Sequence, residues 1–336
     1  MIRKAETIAM TILLAAVYCN LALGQATQTT LLRIDIQNYV PYNFDVFDIQ
    51  KFATAPTLTP WADPGRPTFQ SFVFIGDIVA VNGKPVKGLW TARGTTMALG
   101  PGLVPGRAIA DVTRGNIIDM YWEILQTDGT PIGTIVASGL TRGSRPPGAP
   151  SAQTGDNMTI VGGTGAFLGT RGQVGGIDLG SPRQASVVED PANRRIIGGA
   201  SRSYVLHVIP MFVPQIVTAA NGPAVTHSSD FTLVSASKPA SAGEILSVFA
   251  TGLGPTRPGV DPGTPFPSGP LVAVNSPVEV TVNGKPAEVL AAAGFPGAVD
   301  GYQVNFRVPP DTVKGVATIQ VSAAWVAGTP VSITVQ

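Results

Sequence analysis

Residues 157–174, NMTIVGGTGAFLGTRGQV, set the tightest limit on what this chain can fold into: a strand-like run, a glycine-rich corner, then a second strand-like run. Glycines let backbone N–H groups approach a phosphate closely, but a nucleotide loop also needs a long helix behind it. Here the segment after the glycines is short, carries Gly169 and Gly172, and leads to the β-branched Val174. The corner therefore reads as a tight turn between antiparallel strands, its glycines supplying positive φ.

The rest of the chain agrees. With 39 glycines, 30 prolines and only 13% charged residues, helices must be few, while the 44% hydrophobic content is too high for disorder. Leu32, Ile34 and Ile36 alternate with Arg33, Asp35 and Gln37, the period of a half-buried strand. Residues 69–81 and 86–97 flank Asn82-Gly83, a pair suited to a two-residue hairpin turn. Strands are also expected over 107–111, 116–126, 132–139 and 201–209, with Asp128-Gly129 as a further turn. Residues 41–67 carry five prolines with Phe44, Phe47, Phe52 and Trp61 and read as an extended aromatic flap or a lid. A meander this long closes into a barrel or folds into a sandwich to bury its edges.

The segments FVFIGDIVAVNGKPVKG, GRAIADVTRGNIIDMYWEIL, GTIVASGL, MTIVGGTGAFLGTRGQV and SYVLHVIP resemble, in order and spacing, the allene oxide cyclase and dirigent superfamily. That resemblance covers most of residues 69–210 and implies an eight-stranded antiparallel barrel. In that family the mouth cyclises an unstable epoxide fatty acid or holds a phenoxy-type radical or quinone methide for coupling of one handedness. The acidic and basic residues that do so are lineage-specific and do not map individually onto this chain. Family members are often dimers or trimers, which implies self-association.

After Pro210 the pattern changes. Short strand-like runs at 231–235, 244–250, 277–282, 286–292, 302–308, 316–323 and 331–335 fit an immunoglobulin-like sandwich. The strings PASAGEILSVFATGLGP, PVEVTVNGKPAEVL, GYQVNFRVPPD and VSITVQ resemble an immunoglobulin-like or IPT/TIG module at the ends of proteins secreted by soil bacteria. Surface attachment or sorting is what that resemblance implies. VNGKP occurs at 81–85 and again at 282–286, and reads as one turn chemistry used twice, since the flanks do not match.

Residues 1–26 begin with Arg3 and Lys4, continue through an apolar run over 8–16 and reach Gly24 and Ala26, the form of a secretory signal peptide. The organisation expected is thus a leader at 1–26, a barrel at 27–210 and a sandwich at 211–336. The single cysteine, Cys19, lies in the leader, so the exported chain would hold no disulfide, thiol nucleophile or cysteine metal site. Beyond the leader, 20 basic and 20 acidic residues balance without charge runs, which recommends neither nucleic acid nor an anionic membrane as partner. No later segment approaches the ~20 apolar residues of a membrane span. Two histidines in different halves of the chain offer no usual zinc set, and no cofactor motif is present.

The partner expected is therefore a small apolar or aromatic molecule in the barrel. In Tyr121-Trp122-Glu123-Ile124-Leu125, Tyr121 and Glu123 share one face and Trp122 and Ile124 the other. If the first face points inward, Glu123 is a buried carboxylate able to act as acid or base, with Arg93 or Arg107 as its partner. If Trp122 points inward, Glu123 meets solvent. Arg171 either ties the corner by bonding carbonyls or contacts ligand, and His207 either lines the interior or is structural. His227 sits in His-Ser-Ser-Asp, whose neighbours are too close in sequence to form a catalytic triad. Asp77 and Asp111 read either as barrel-rim residues or as solvated or capping carboxylates near turns. Three functions follow: a dirigent-type binding protein, an isomerase or cyclase acting through Glu123, or a structural protein whose barrel is filled by its own side chains.

Overall fold

The computed structural model describes residues 29–44, 71–96, 106, 116–141, 156–178, 182–186 and 188–336. The leader, most of the aromatic flap, Asp111, and the strand expected at 107–111 with Arg107 lie outside these residues.

The first half forms β1 (Thr30–Phe44), β2 (Ser71–Val81), β3 (Lys84–Thr96), β4 (Asn116–Leu125), β5 (Pro131–Thr141), β6 (Asp156–Gly165), β7 (Arg171–Asp178), the two-residue β8 (Ala185–Ser186), the four-residue helix α1 (Asn193–Ile196) and β9 (Ala200–Ile209). Consecutive pairing from β1 to β7, then β7 with β9, β9 with β1 and β1 with β2, closes an eight-stranded antiparallel barrel. β8 lies outside this ring, parallel to β1 at Tyr42 and Asn43. Closure satisfies strand edges that an open meander would expose.

The interior is set by alternation and by an exchange of large for small side chains. Trp90 lies opposite Trp122 on β4 and opposite Gly76 on β2, while Phe72 lies opposite Gly94. A Cβ on Gly76 would stand 2.6 Å from Ile36 Cγ2, and one on Gly94 would stand 2.6 Å from the Phe72 ring. These glycines are needed for space, so that rings can fill a barrel only wide enough for side chains or one small ligand. β1 runs further than its alternation predicts. Asn38, at φ 53°, sits within a register shift between Gln37 and Val40, and the shift turns Tyr39 inward. Tyr39 accordingly joins the barrel core, while Val40 and Tyr42 join a separate cluster with Ala185 and Ile75.

The second half comprises β10 (Gln215–Ile216), β11 (Thr218–Ala219), β12 (Gly222–Pro223), β13 (Val225–His227), β14 (Ile245–Thr251), β15 (Thr256–Arg257), β16 (Ala273–Val274), β17 (Val278–Val282), β18 (Lys285–Gly294), β19 (Gly301–Arg307), β20 (Gly315–Ala323), β21 (Val326–Ala327) and β22 (Val331–Val335). The sandwich expected here takes the form of one curled antiparallel sheet. β18 pairs with β17 at its start and with β19 further on, with a register shift between Val289 and Ala291, so it passes from one limb to the other. Val248 and Val304 from one limb and Val280 and Ile319 from the other share a single core. The strand expected at 231–235 does not form. Phe231 adopts φ 56° and donates its N–H to His227 O at 2.8 Å, closing a turn, and only Leu233 makes a bridge, to Thr226.

Both VNGKP segments are hairpins with positive φ at Asn82 and Gly83, and at Asn283 and Gly284. Each asparagine also pins the next strand: Asn82 Oδ1 accepts the Arg33 N–H at 2.7 Å, and Asn283 Oδ1 accepts the Thr318 N–H at 2.8 Å. One local sequence thus solves one turn-and-neighbour problem in two cores.

The barrel end carrying the tight turns at 82–83, 126–130 and 166–170 faces the second sheet. Lys84 pairs with Glu279, Gln126 donates to the Asn275 carbonyl, and Arg257 donates to Thr130 Oγ1 at 3.0 Å. The β20–β21 turn, with Ala324 at φ 47° and Trp325 at φ 64°, packs both residues against the barrel core. The opposite end receives the long connections that follow β1, β3, β5 and β7.

Candidate functional site

The register decides the phase of β4. Trp122 is buried opposite Trp90 and Ile135, so Tyr121 and Glu123 lie on the outer face. Glu123 is exposed beside Thr134 and Leu89, which does not bring it into the interior. Arg93 is also outside, its side chain 70% exposed and 3.4 Å from Asp119. His207 is half-buried on the outer face, between Leu31 and Gln173 on the neighbouring strands. Arg171 donates to the Val161 carbonyl and, at 3.4 Å, to that of Thr170, tying the glycine corner from outside. Tyr121, Glu123, Arg93, Arg171 and His207 are thus not gathered around one cavity.

What the barrel does gather is a chain of aromatic rings. Phe72 and Phe74 lie 4.9 Å apart between centroids, Phe74 stacks on Trp90 at 6.0 Å, and Tyr39 meets both Phe74 and Trp90 edge-on. Trp90 continues to Tyr204 at 5.6 Å, and Tyr204 to Trp122 at 5.2 Å. Such contacts are worth about 0.5–1.5 kcal/mol each beyond the area buried. Toward the end with the long connections, the cluster takes in a cation. Arg202 is buried, its guanidinium 5.5 Å from the Tyr39 centroid and 5.0 Å from that of Tyr204, and it donates to Tyr204 Oη at 2.7 Å. Asp178 is its backbone partner on β7. The indole N–H groups of Trp90 and Trp122 are buried and have no acceptor among the described residues.

This group was in part readable beforehand. In the alternation of β9, Arg202 falls in phase with Tyr204, Leu206 and Val208, and an arginine in phase with three buried apolar positions marks a buried cation. Tyr39 had no such signal, because the register shift after Gln37 hides it.

Asp77 is a correction. It is neither solvated nor a simple cap: it lies on the outer face of β2 and receives Arg194, Arg195 at 2.6 and 2.9 Å, and Asn38 at 3.1 Å. Burial pushes its carboxyl up, but hydrogen bonds from Arg195, Arg194 and Asn38 outweigh this and hold it below the usual range. The clamp fastens α1 against β2. In the second sheet, His227 is buried with Nδ1 2.5 Å from Glu244 Oε1 and Nε2 3.2 Å from the Lys238 carbonyl, so both ring nitrogens are engaged in a structural pair.

Among the described residues no cluster of three metal-ligating side chains occurs, and no helix is long and apolar enough to cross a membrane. No family model matches the sequence, and no curated protein matches it. Among solved structures, a pyocyanin demethylase is similar at 17% identity and a TM-score of 0.27, covering 54% of this chain and 99% of that one. A pterocarpan synthase dirigent protein is similar at 14% identity and a TM-score of 0.31, covering 58% of this chain and 94% of that one. The barrel assignment itself rests on the strand pairing.

Proposed function

We propose that the barrel binds one small aromatic or apolar molecule at the end bearing the long connections, with Tyr39, Phe74 and Trp90 receiving its ring and Arg202 facing an oxygen acceptor on it. The observation that carries this reading is the cluster of Tyr39, Phe74 and Trp90 rings inside the barrel, beside buried indole N–H groups of Trp90 and Trp122 that have no acceptor among the described residues. Each unmet indole N–H costs about 1–3 kcal/mol, and a ligand acceptor reaching it relieves that cost. Binding is favoured over acid–base turnover because Glu123 and Arg93 stand on the outer surface.

The test is native mass spectrometry of the full chain after exposure to a mixed extract of phenolics and lipids. A retained aromatic molecule that is lost in Arg202→Met supports the reading. Retention of nothing by the unsubstituted protein overturns it in favour of a barrel filled by its own side chains.

We propose further that the protein acts outside the cell and that the curled sheet is an immunoglobulin-like module for surface attachment or sorting. Support comes from the leader-like residues 1–26 and from the sequence resemblance of the second half. N-terminal sequencing of protein recovered from culture medium should find a start near residue 27, and a chain kept inside with its leader contradicts this. Self-association on the outer face of the barrel is part of the same reading, checked by sedimentation.

A further inference from the structure

The two halves border a cavity at the barrel end away from Arg202. It has a volume of about 370 Å³, within the roughly 300–1,000 Å³ of small-molecule sites. One wall is the glycine corner of the barrel, with Leu168, and the other is the curled sheet, with Phe266 and Tyr302; Phe212 comes from the linker. Two carboxylates, Asp261 and Asp300, complete the lining, and no lysine, arginine or histidine lines it among the described residues.

The cavity is held by specific geometry. Gly252 and Gly254 adopt φ +72° and +87°; a Cβ on Gly252 would stand 2.9 Å from the Val213 carbonyl oxygen, and one on Gly254 3.5 Å from Ala166 Cα. The chain can therefore pass close against the barrel and the linker. The Tyr302 hydroxyl donates to the Gly254 carbonyl at 2.6 Å, which fixes the ring, and Phe266 packs on it at 5.1 Å between centroids. Burial, and then the neighbouring Asp300 carboxylate, keep the Tyr302 phenol above its ordinary pKa, so it stays a neutral donor.

We infer that this cavity binds a small organic cation, a protonated amine carried on an aromatic or branched aliphatic body. The charges all have one sign, and aromatic faces beside carboxylates attract a cation beyond simple burial. Asp261 and Asp300 are exposed at the rim, where they meet the ammonium, while Phe266 and Tyr302 lie deeper, where they meet the body. The site is independent of the barrel reading and uses none of its residues.

The test is calorimetric titration of the full chain with three probes of one shape: 2-phenylethylammonium, 2-phenylethanol and 3-phenylpropionate. The ammonium should bind at least tenfold tighter than the alcohol, and the carboxylate should not bind. Combined Asp261→Asn and Asp300→Asn should reduce the ammonium to the level of the alcohol. Leu168→Trp, at a position 54% exposed, fills the cavity and keeps both carboxylates, and should remove binding without changing Tm. Equal binding of ammonium and alcohol, no binding of the ammonium, or unchanged binding in either variant overturns the inference.

Discussion

The two cores of this protein are built from different materials. The second is mainly aliphatic, with Val248, Val280, Val304, Ile319 and Val321 meeting across the curled sheet, and its buried Tyr302 hydroxyl is bonded. The barrel core combines Trp90, Trp122, Tyr204 and Phe167 with a buried arginine and two indole donors without acceptors. An aliphatic core is what packing alone asks for, although the second half too keeps buried Asn275 Oδ1 and Ser276 Oγ without a partner among the described residues. A core that keeps two indole donors without an acceptor among the described residues departs from that rule, and such departures can mark sites. The contrast supports the proposal that the barrel interior is a binding site.

Substitutions can break or sharpen this contrast. The largest effect is expected at the Asp77 clamp. Asp77→Ala leaves Arg194, only 8% exposed, without its counter-charge. That should cost about 3–5 kcal/mol in urea unfolding, whereas loss of an exposed pair such as Lys238 with Asp230 should change the unfolding midpoint far less. Because the Asp77 pKa is lowered by folding, its contribution is present above the ordinary carboxyl range, near pH ~4, and is lost as pH falls through its lowered value. Asp77→Asn should flatten that acid limb of the stability curve, and an unchanged limb would refute the assignment.

Next come the glycines. In the barrel, a Cβ at Gly88 would lie 2.1 Å from the Glu123 carbonyl oxygen, so Gly88→Ala should cost about 1–3 kcal/mol or more through overpacking. In the second sheet, Gly284 has open space but φ +77°, so Gly284→Ala should cost only about 1–2 kcal/mol, from conformation alone. Unfolding midpoints of the two variants separate space from strain. The smallest effect is expected at Trp122→Phe, which loses volume but also removes a buried donor without an acceptor. Its cost should fall below the roughly 2–5 kcal/mol of Ile319→Ala in the second core. A larger loss at Trp122 would mean that its N–H has an acceptor beyond the described residues.

Much of the fold was legible in local sequence. The Asn-Gly and Asp-Gly turns, the alternation of β2 to β5 and the glycine corner define antiparallel hairpins whose ladder closes. The phase of β4 was not legible, because Tyr121-Trp122-Glu123 alternates equally well in either sense and only the pairing of Trp122 with Trp90 selects one. The strand at Leu32–Gln37 was legible, but the continuation of β1 beyond it escaped through the register shift, and Phe231 through a turn that uses positive φ at an aromatic residue. Of the site, Arg202 could be found by its phase on β9. The Asp77 clamp could not, since Arg194 and Arg195 come from a four-residue helix more than a hundred positions away.

The claim that the barrel is the binding half is tested most directly by following the indole N–H resonances of the four tryptophans during titration with an aromatic carboxylate such as p-coumarate. The account predicts that the Trp90 resonance moves saturably, that Arg202→Met abolishes the movement, and that Trp325, at the far end of the barrel, stays still. Movement of Trp325 alone, or of none of the four, would contradict it.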